Sequence, residues 1–366
     1  MRNMGTRKKH KSQLSAKDIQ LLYMIYQLRA VTYEQFKKLG NYTSKFYYYH
    51  KVQKFVRLGL IYKETITGSY QEGKRHQGNY VGITESGLSL LKEKDYKISH
   101  TAYNSRVNKK RLAYTLTAND LIIKMLRKGW SFREAREIKE EHDIHRGNTF
   151  QGVLTSPNKE DSYLLYALLH RVQGQTVDRI KYELTTQHKI TDVLITTKGQ
   201  DGFKTVVNSV TNERHPLITG GKALVLPHAF SAEYLTIFDG NVRKYEDFLK
   251  TYDIELLCKS PVEDSSENIF GSNVKCDYQI RYNGEEYYFV DMLGNDMMKL
   301  RDVREYKRED YKRDGRKMLV LTSAAGFHKE KQQEILGVMP HVEFLELNFS
   351  NMIKNVRYIN KLFDKR

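Results

Sequence analysis

At 366 residues the chain exceeds what one hydrophobic core usually spans, and its 40% hydrophobic content can fill two or three. Sixty-one Lys and Arg against 44 Asp and Glu leave a net charge of +17, which points to a polyanionic partner, nucleic acid before an anionic membrane surface. Two cysteines, Cys258 and Cys276, make no disulfide framework and suit a reducing cytoplasm; no apolar run approaches the roughly 20 residues of a membrane span, and no apolar signal core follows the basic start MRNMGTRKKHKSQ.

Residues 1–13 read as a basic tail, either a free end or an arm touching phosphates. Ser15 followed by Asp18 marks a helix start, and Ile19, Leu22, Tyr23, Ile25 and Tyr26 give that helix an apolar stripe. AVTYEQFKKLG is a second helix, capped by Thr32 with Gln35 answering and closed by Gly40. A third begins at Thr43 or Ser44 and ends at Gly59. Its core side carries Tyr48, Val52, Phe55 and Leu58, with Val56 alongside and Tyr49 at the margin. Ser44 and Lys45 start it, and Tyr47, His50, Lys51 and Lys54 fall on the opposite face. The stretches LIYKETI and YVGIT alternate like strands around the glycine-rich loop TGSYQEGKRHQGN, which holds Lys74, Arg75 and His76; Thr84 then caps a fourth helix, ESGLSLLKE. This order is that of a winged helix-turn-helix over 14–95. Such a domain puts its third helix in the major groove and its loop on the backbone. The DNA-binding residues are therefore read as Ser44, Lys45, Tyr47, His50, Lys51, Lys54, Lys74, Arg75 and His76. The same module could instead serve protein contacts.

RVNKKRLAYTLTANDLIIKMLRKGW predicts one long helix from about Arg106 to Lys128, within a helical connector over 100–150. Leu112, Leu116, Asn119, Leu121 and Ile122 keep no clean heptad, so the helix reads as a connector, with a homodimer seam as the alternative. His142 and His145 lack a third ligand nearby and read as surface residues.

From 151 to 366 the texture is α/β. KITDVLITT, KALVLPH and YLTIF read as strands and NVRKYEDFLKTYDIELL as helical. CDYQIRY and EEYYFVDML flank Asn283-Gly284 as a hairpin. A charged helix over Met297–Lys312, the strand KMLVLTS, the helix GFHKEKQQEIL, the strand VEFLEL and a last helix follow. KITDVLITTKGQDGFKTVV echoes the hairpin, with Asp192 matching Asp277, so two similar sub-units, about 177–257 and 272–366, are one organisation to test. Asp277 heads one hairpin strand and Asp291 ends the other. Two carboxylates meeting there could hold Mg²⁺ for phosphodiester hydrolysis. In restriction-endonuclease-like nucleases a lysine stands two residues after the second acid. Here that position is Leu293, and Lys299 could reach in from the helix. Asp291 and Asp296 more simply cap or pair with basic neighbours. TGGKALV has Pro216 and Ala223 where a phosphate-binding loop needs glycine and Ser or Thr. No cofactor motif and no metal site stand out.

The segments LSAKDIQLLYMIYQLRAVTYEQF, FVRLGLIYK and YVGITESGLSLL, then NKKRLAYTLTANDLIIKML, then KCDYQIRYNGEEYYFVDM and KMLVLTS, resemble the replication-relaxation family of bacterial plasmids and mobile elements, over 14–130 and about 275–325. That resemblance implies a DNA-binding accessory in replication or relaxation, replication or transfer proteins as partners, and a restriction-endonuclease-like C-terminal domain. The reading that follows is a multidomain α+β and α/β protein: an N-terminal winged helix-turn-helix, a helical connector, and an α/β domain resembling a degenerate restriction-endonuclease-like fold. It would be a sequence-specific double-stranded DNA-binding protein, non-enzymatic, acting in replication or relaxation or in transcription control. The alternatives are a metal-dependent nuclease on Asp277 and Asp291, or an adaptor whose C-terminal domain senses a ligand or docks a protein.

Overall fold

The computed structural model describes residues 14–67, 76–187, 189–210, 217–237, 241–259, 274–323 and 339–363. It is a mixed α/β chain with several sheets. It divides into two compact units, Met1–Arg127 with Ser131–Val153, and Lys128–Trp130 with Leu154–Arg366.

The first unit opens with α1 (Ala16–Leu28), β1 (Val31–Thr32), α2 (Tyr33–Leu39), α3 (Lys45–Arg57), β2 (Ile61–Thr67), β3 (His76–Ile83) and α4 (Glu85–Lys92). Both sequence-predicted capping boxes form: Ser15 and Asp18 exchange bonds at α1, as do Thr32 and Gln35 at α2. Ser44 caps α3, which ends on Gly59 at φ 71°, a left-handed conformation that glycine adopts at no steric cost. Strands β1, β3 and β2 form an antiparallel sheet in that order, with Val31 opposite Val81 and Ile61 opposite Ile83. Two-residue β1 went unread in the sequence because so short a strand has no period. The basic tail, Lys74 and Arg75 lie outside the described residues; His76 starts β3.

The helix expected from Arg106 is shorter. After α5 (Ala102–Ser105), Arg106 is extended, and Asn108 caps α6 (Lys109–Leu126). The apolar residues of α6 are buried within the chain, so the stripe considered for a dimer seam is already covered. Its Asn119 is buried too: Nδ2 donates to the carbonyls of Leu28 (3.1 Å) and Ala30 (2.6 Å). The unit goes on through β4 (Ser131–Glu134) and α7 (Ala135–Glu141) to the start of β5 (Gly152–Thr155), so the connector stretch is not all helical. His142 follows the end of α7 and His145 lies beyond it, off any helix.

In the second unit, β6 (Ser162–Leu168), β7 (Val193–Thr197) and β8 (Ala223–Pro227) run parallel, aligned at Leu164, Val193 and Ala223. They are joined by α8 (Gly174–Thr186) and α9 (Gln200–Val210). Nearly every strand residue is buried, as a sheet covered on both faces requires. Of YLTIF, expected as a strand, residues 234–237 fall instead in α10 (His228–Ile237) and the last lies outside the described residues; a short apolar run that is buried all round carries no period.

The second sheet holds β9 (Ile254–Lys259), β10 (Tyr278–Tyr282), β11 (Glu285–Asp291), β12 (Lys317–Ser323) and β13 (Val342–Leu347), in the order β13-β12-β11-β10-β9. NVRKYEDFLKTYDIELL, expected as helix throughout, is α11 (Val242–Lys250), a turn with Asp253 at φ 58°, and strand β9 (Ile254–Lys259). β9, β10 (Tyr278–Tyr282) and β11 (Glu285–Asp291) are antiparallel, the last two joined through Asn283-Gly284 as expected. β12 (Lys317–Ser323) and β13 (Val342–Leu347) run parallel to β11. The single helix expected over Met297–Lys312 is two, α12 (Met297–Glu305) and α13 (Arg308–Asp314), broken where Tyr306 turns inward to hydrogen-bond Asp314 and the Arg316 carbonyl. Helix α14 (Phe349–Phe363) packs on α10 and α11. GFHKEKQQEIL lies outside the described residues. The two stretches considered as sub-units differ in topology: β7 continues into a helix and joins a parallel sheet, whereas β10 turns back into an antiparallel hairpin. Among the described residues, no helix is long and apolar enough to cross a membrane.

Candidate functional site

Helix α3 is the first candidate. Its 13 residues place Tyr48, Val52 and Phe55 on one buried side, spaced four and three apart. Tyr48 is 2% exposed and donates to Glu34 Oε1 (3.2 Å), whereas Tyr47 is 55% exposed, which settles the phase of the tyrosine triplet as expected. Of the face read in the sequence, Tyr47 and His50 are exposed as expected, whereas Lys51 and Lys54 are not. Lys51 is tied down: its Nζ lies 2.7 Å from Asp18 Oδ1, the acid of the α1 capping box. Lys54 is half-buried. Tyr47 rests against the Tyr42 ring (5.1 Å between centroids) with the Lys51 ammonium 5.7 Å from its own. The exposed residues of the helix are Lys45, Phe46, Tyr47, Tyr49, His50, Gln53 and Arg57, with the Tyr49 ring also edge-on to Tyr33. Phe46 is 80% exposed, a large apolar ring left in solvent. Among the described residues Lys45, His50 and Arg57 make no ion pair. Phe46, Gln53 and Arg57 were missed because the phase was drawn toward the lysines, and the partner that removes Lys51 lies 33 positions away. Ser44 spends its hydroxyl on the Tyr47 amide.

The second candidate lies at the end of the β10–β11 hairpin. The Asp277 amide pairs with the Phe289 carbonyl, which brings Asp277 beside Asp291, the last residue of β11. Asp277 Oδ2 accepts from the Asp291 amide (2.8 Å) and from Lys299 Nζ (2.7 Å). Lys299 stands in the first turn of α12 and also donates to the Asp291 carbonyl (3.2 Å). Asp291 is 3% exposed; its Oδ1 accepts from the Leu293 amide (2.8 Å) and its Oδ2 from the Tyr245 hydroxyl (2.9 Å). The bend between β11 and α12 is clamped against β8. Gly294 O accepts from the Val225 amide, Asn295 Nδ2 donates to the Val225 carbonyl, and Asp296, the α12 cap, accepts from the Ala223 amide. A Cβ on Gly294 would collide with the buried Tyr234 ring, so glycine is needed there.

Burial pushes the Asp291 carboxyl up to about 6, helped by the Asp277 charge and opposed by Lys299, the Leu293 amide and Tyr245. Burial alone would lower Lys299; Asp277, Asp291 and Asp296 outweigh it and hold the ammonium above its ordinary value. The cluster at neutral pH is therefore a cation between carboxylates. The Asp291 shift has a consequence for stability. Near pH 4 and below, the group is protonated folded or unfolded. Between there and about pH 6 only the unfolded chain has lost the proton, so stability falls by an amount on the order of 3 kcal/mol as pH rises. Asp291→Asn removes that dependence. Denaturant unfolding at pH 4 and pH 7 should show the variant gaining on the native chain by that difference, and an unchanged difference would contradict the buried charge.

Asp192 is not part of this centre. It accepts from the Lys222 amide, and the Lys222 ammonium pairs with Asp161 at 2.5 Å, so the lysine of TGGKALV closes a strand-end network.

No protein-family model matches the chain, and neither does any curated protein. Among solved structures, restriction endonuclease FokI bound to DNA is similar at 12% identity and a TM-score of 0.20, over 86% of this chain and 58% of that one. Nothing is carried over from that enzyme at so low a score.

Proposed function

We propose that the chain is a sequence-specific, double-stranded DNA-binding protein whose reading helix is α3. The observation that supports it is the open face Phe46, Tyr49, His50, Gln53 and Arg57, on a helix whose other side is fully committed to the core. The succession α1-β1-α2-α3-β2-β3, with β1 closing the sheet against β3, is the order of a winged helix, which lays its third helix in the major groove. Arg57 and Gln53 supply donors for guanine and adenine edges, and Phe46 an apolar contact for a thymine methyl. The net charge of +17 supplies the non-specific attraction. Gln53→Ala and Arg57→Ala should each weaken binding to the selected site by about 1–3 kcal/mol while leaving unrelated duplex nearly unaffected. Titration of selected and scrambled duplexes checks this; equal losses on both would remove the reading role.

A second reading is favoured by the Lys299–Asp277 contact: a metal-dependent phosphodiester-cleaving centre in the second unit. Helix α11, the antiparallel β9-β10-β11, helix α12 and the parallel β12 follow the restriction-endonuclease-like order, and the lysine absent at Leu293 is supplied by Lys299. The donor set fits Mg²⁺, which takes oxygen ligands and is commonly held by one or two carboxylates plus substrate phosphate. Asp277 and Asp291 would hold it; each Asp291 oxygen accepts one of the two bonds described above and has a second lone pair to offer. When bound, the ion would supply charge stabilisation and a more acidic water. Tyr245 and Leu293 fix the rotamer of Asp291. Lys299, held cationic, is placed to stabilise negative charge on the reacting phosphoryl group rather than to take a proton.

A further inference from the structure

Beside the β2–β3 hairpin lies an open cavity of about 660 Å³, walled by Tyr62 and Glu64 of β2, Tyr80 of β3, and Arg106, Lys109 and Lys110 ahead of and within the first turn of α6. Its back is firm: Ile66, Tyr80, Val107, Leu112 and Leu116 form one buried cluster. The acid in the wall is neutralised, since Glu64 accepts the Tyr80 hydroxyl and faces Arg106 Nη1 at 3.8 Å. The Arg106 guanidinium lies over the Tyr62 ring, 4.8 Å from its centroid. Lys109, Lys110 and the following Arg111 are exposed, and among the described residues none of the three has an acidic partner. The cavity is thus an aromatic floor under an excess of cations, with one carboxylate already paired.

The chemistry this suits is a phosphodiester with its sugar. Flexible ammonium heads neutralise a phosphate as point charges, the guanidinium adds directed donors, and tyrosine faces pack against deoxyribose. The position selects the source. Ile66 ties the cluster behind the cavity to the end of β2, so the basic wall flanks the hairpin that, in a winged helix, approaches the backbone next to the reading helix. We propose that this cavity binds the sugar-phosphate backbone of the duplex read by α3, outside the bases that α3 contacts. Residues 106–111 then belong to the DNA interface rather than to a connector. The proposal rests on the DNA-binding reading of α3 and adds a separate contact to it.

The test uses the full-length chain and two variants, Lys109→Ala/Lys110→Ala and Lys109→Glu/Lys110→Glu, each checked for an unchanged thermal unfolding midpoint. Affinity is measured across salt on two duplexes: one selected by the native chain from a random pool, and poly(dI-dC). The alanine pair should weaken both by a similar factor, about tenfold at low salt, and make the slope of log K against log salt shallower by about two, close to one unit per lost phosphate contact. The glutamate pair should weaken both further, and hydroxyl-radical protection should be lost only beside the selected site. Unchanged affinity and slope in both variants, with normal binding by the native chain, would overturn this inference and leave α3 standing. No duplex binding by the native chain at any salt would overturn both together.

Discussion

On the proposed nuclease reading, Lys299→Met and Asp277→Asn should each reduce Mg²⁺-dependent nicking of supercoiled DNA by roughly three orders of magnitude, the scale on which removing one preorganised charge-stabilising group acts. Duplex affinity, which we propose the first unit carries, should stay unchanged. The size of the effect follows from how few groups the centre has. Asp277 Oδ2 holds both the Asp291 amide and the Lys299 ammonium, so the asparagine variant removes the charge that keeps the lysine in place. Lys299→Met acts from the other side. It leaves Asp277 and Asp291 adjacent without their cation, which raises Asp291 further and moves the acid limb of the pH–rate profile upward. A lysine with a merely structural role would lower stability without shifting that limb. The assay needs the duplex that the native chain selects, with Mg²⁺ or Mn²⁺. Fully supercoiled DNA after incubation with the native chain on that site would dispose of the nuclease reading, while a DNA-binding protein on a degenerate scaffold would remain.

Local features were the ones legible in the sequence. The capping pairs Ser15–Asp18 and Thr32–Gln35 are three residues apart, and the Tyr48, Val52, Phe55 stripe needs only the helical period. The Asn283-Gly284 hairpin and the adjacency of Asp277 and Asp291 follow from one turn. What failed to show were events set by tertiary contact. Lys51 looks like a reading residue until Asp18 arrives from another helix. Lys299 looks incidental until the bend after β11, clamped to β8, turns α12 so that its first turn points at Asp277. The strand Ile254–Lys259 was hidden because the turn before it has no glycine or proline, only Asp253 in a left-handed conformation. α10 was hidden by apolar residues on every side.

Asn119 also looked like a flaw in a sequence pattern, and it carries the largest stability effect expected in the first unit. Asn119→Ala should destabilise that unit by about 1–3 kcal/mol. Helix ends leave carbonyls without intrahelical partners, and α1 ends at Leu28, immediately before Arg29 at φ 64°. Leu28 and Ala30 are themselves buried, so water cannot replace what Asn119 Nδ2 gives to both carbonyls. The Leu28 carbonyl keeps the Ala30 amide (2.7 Å), so the loss falls mainly on the Ala30 carbonyl, and an acceptor left bare costs about 1–3 kcal/mol. Asn119→Asp separates this account from simple cavity formation, since it keeps the volume and loses the donor. At neutral pH it should be at least as damaging as alanine, because a carboxylate would face two carbonyl oxygens. Lowering the pH restores one O–H donor and should narrow the gap. Urea unfolding of the three chains at pH 5 and pH 7.5, followed by amide exchange at α1 and α6, reads the difference directly. A loss below about 0.5 kcal/mol for both variants would mean that the two carbonyls find other partners. In that case α6 would still be tied to α2 by Gln35, whose Nε2 donates to the Leu116 carbonyl and to Asp120 Oδ1.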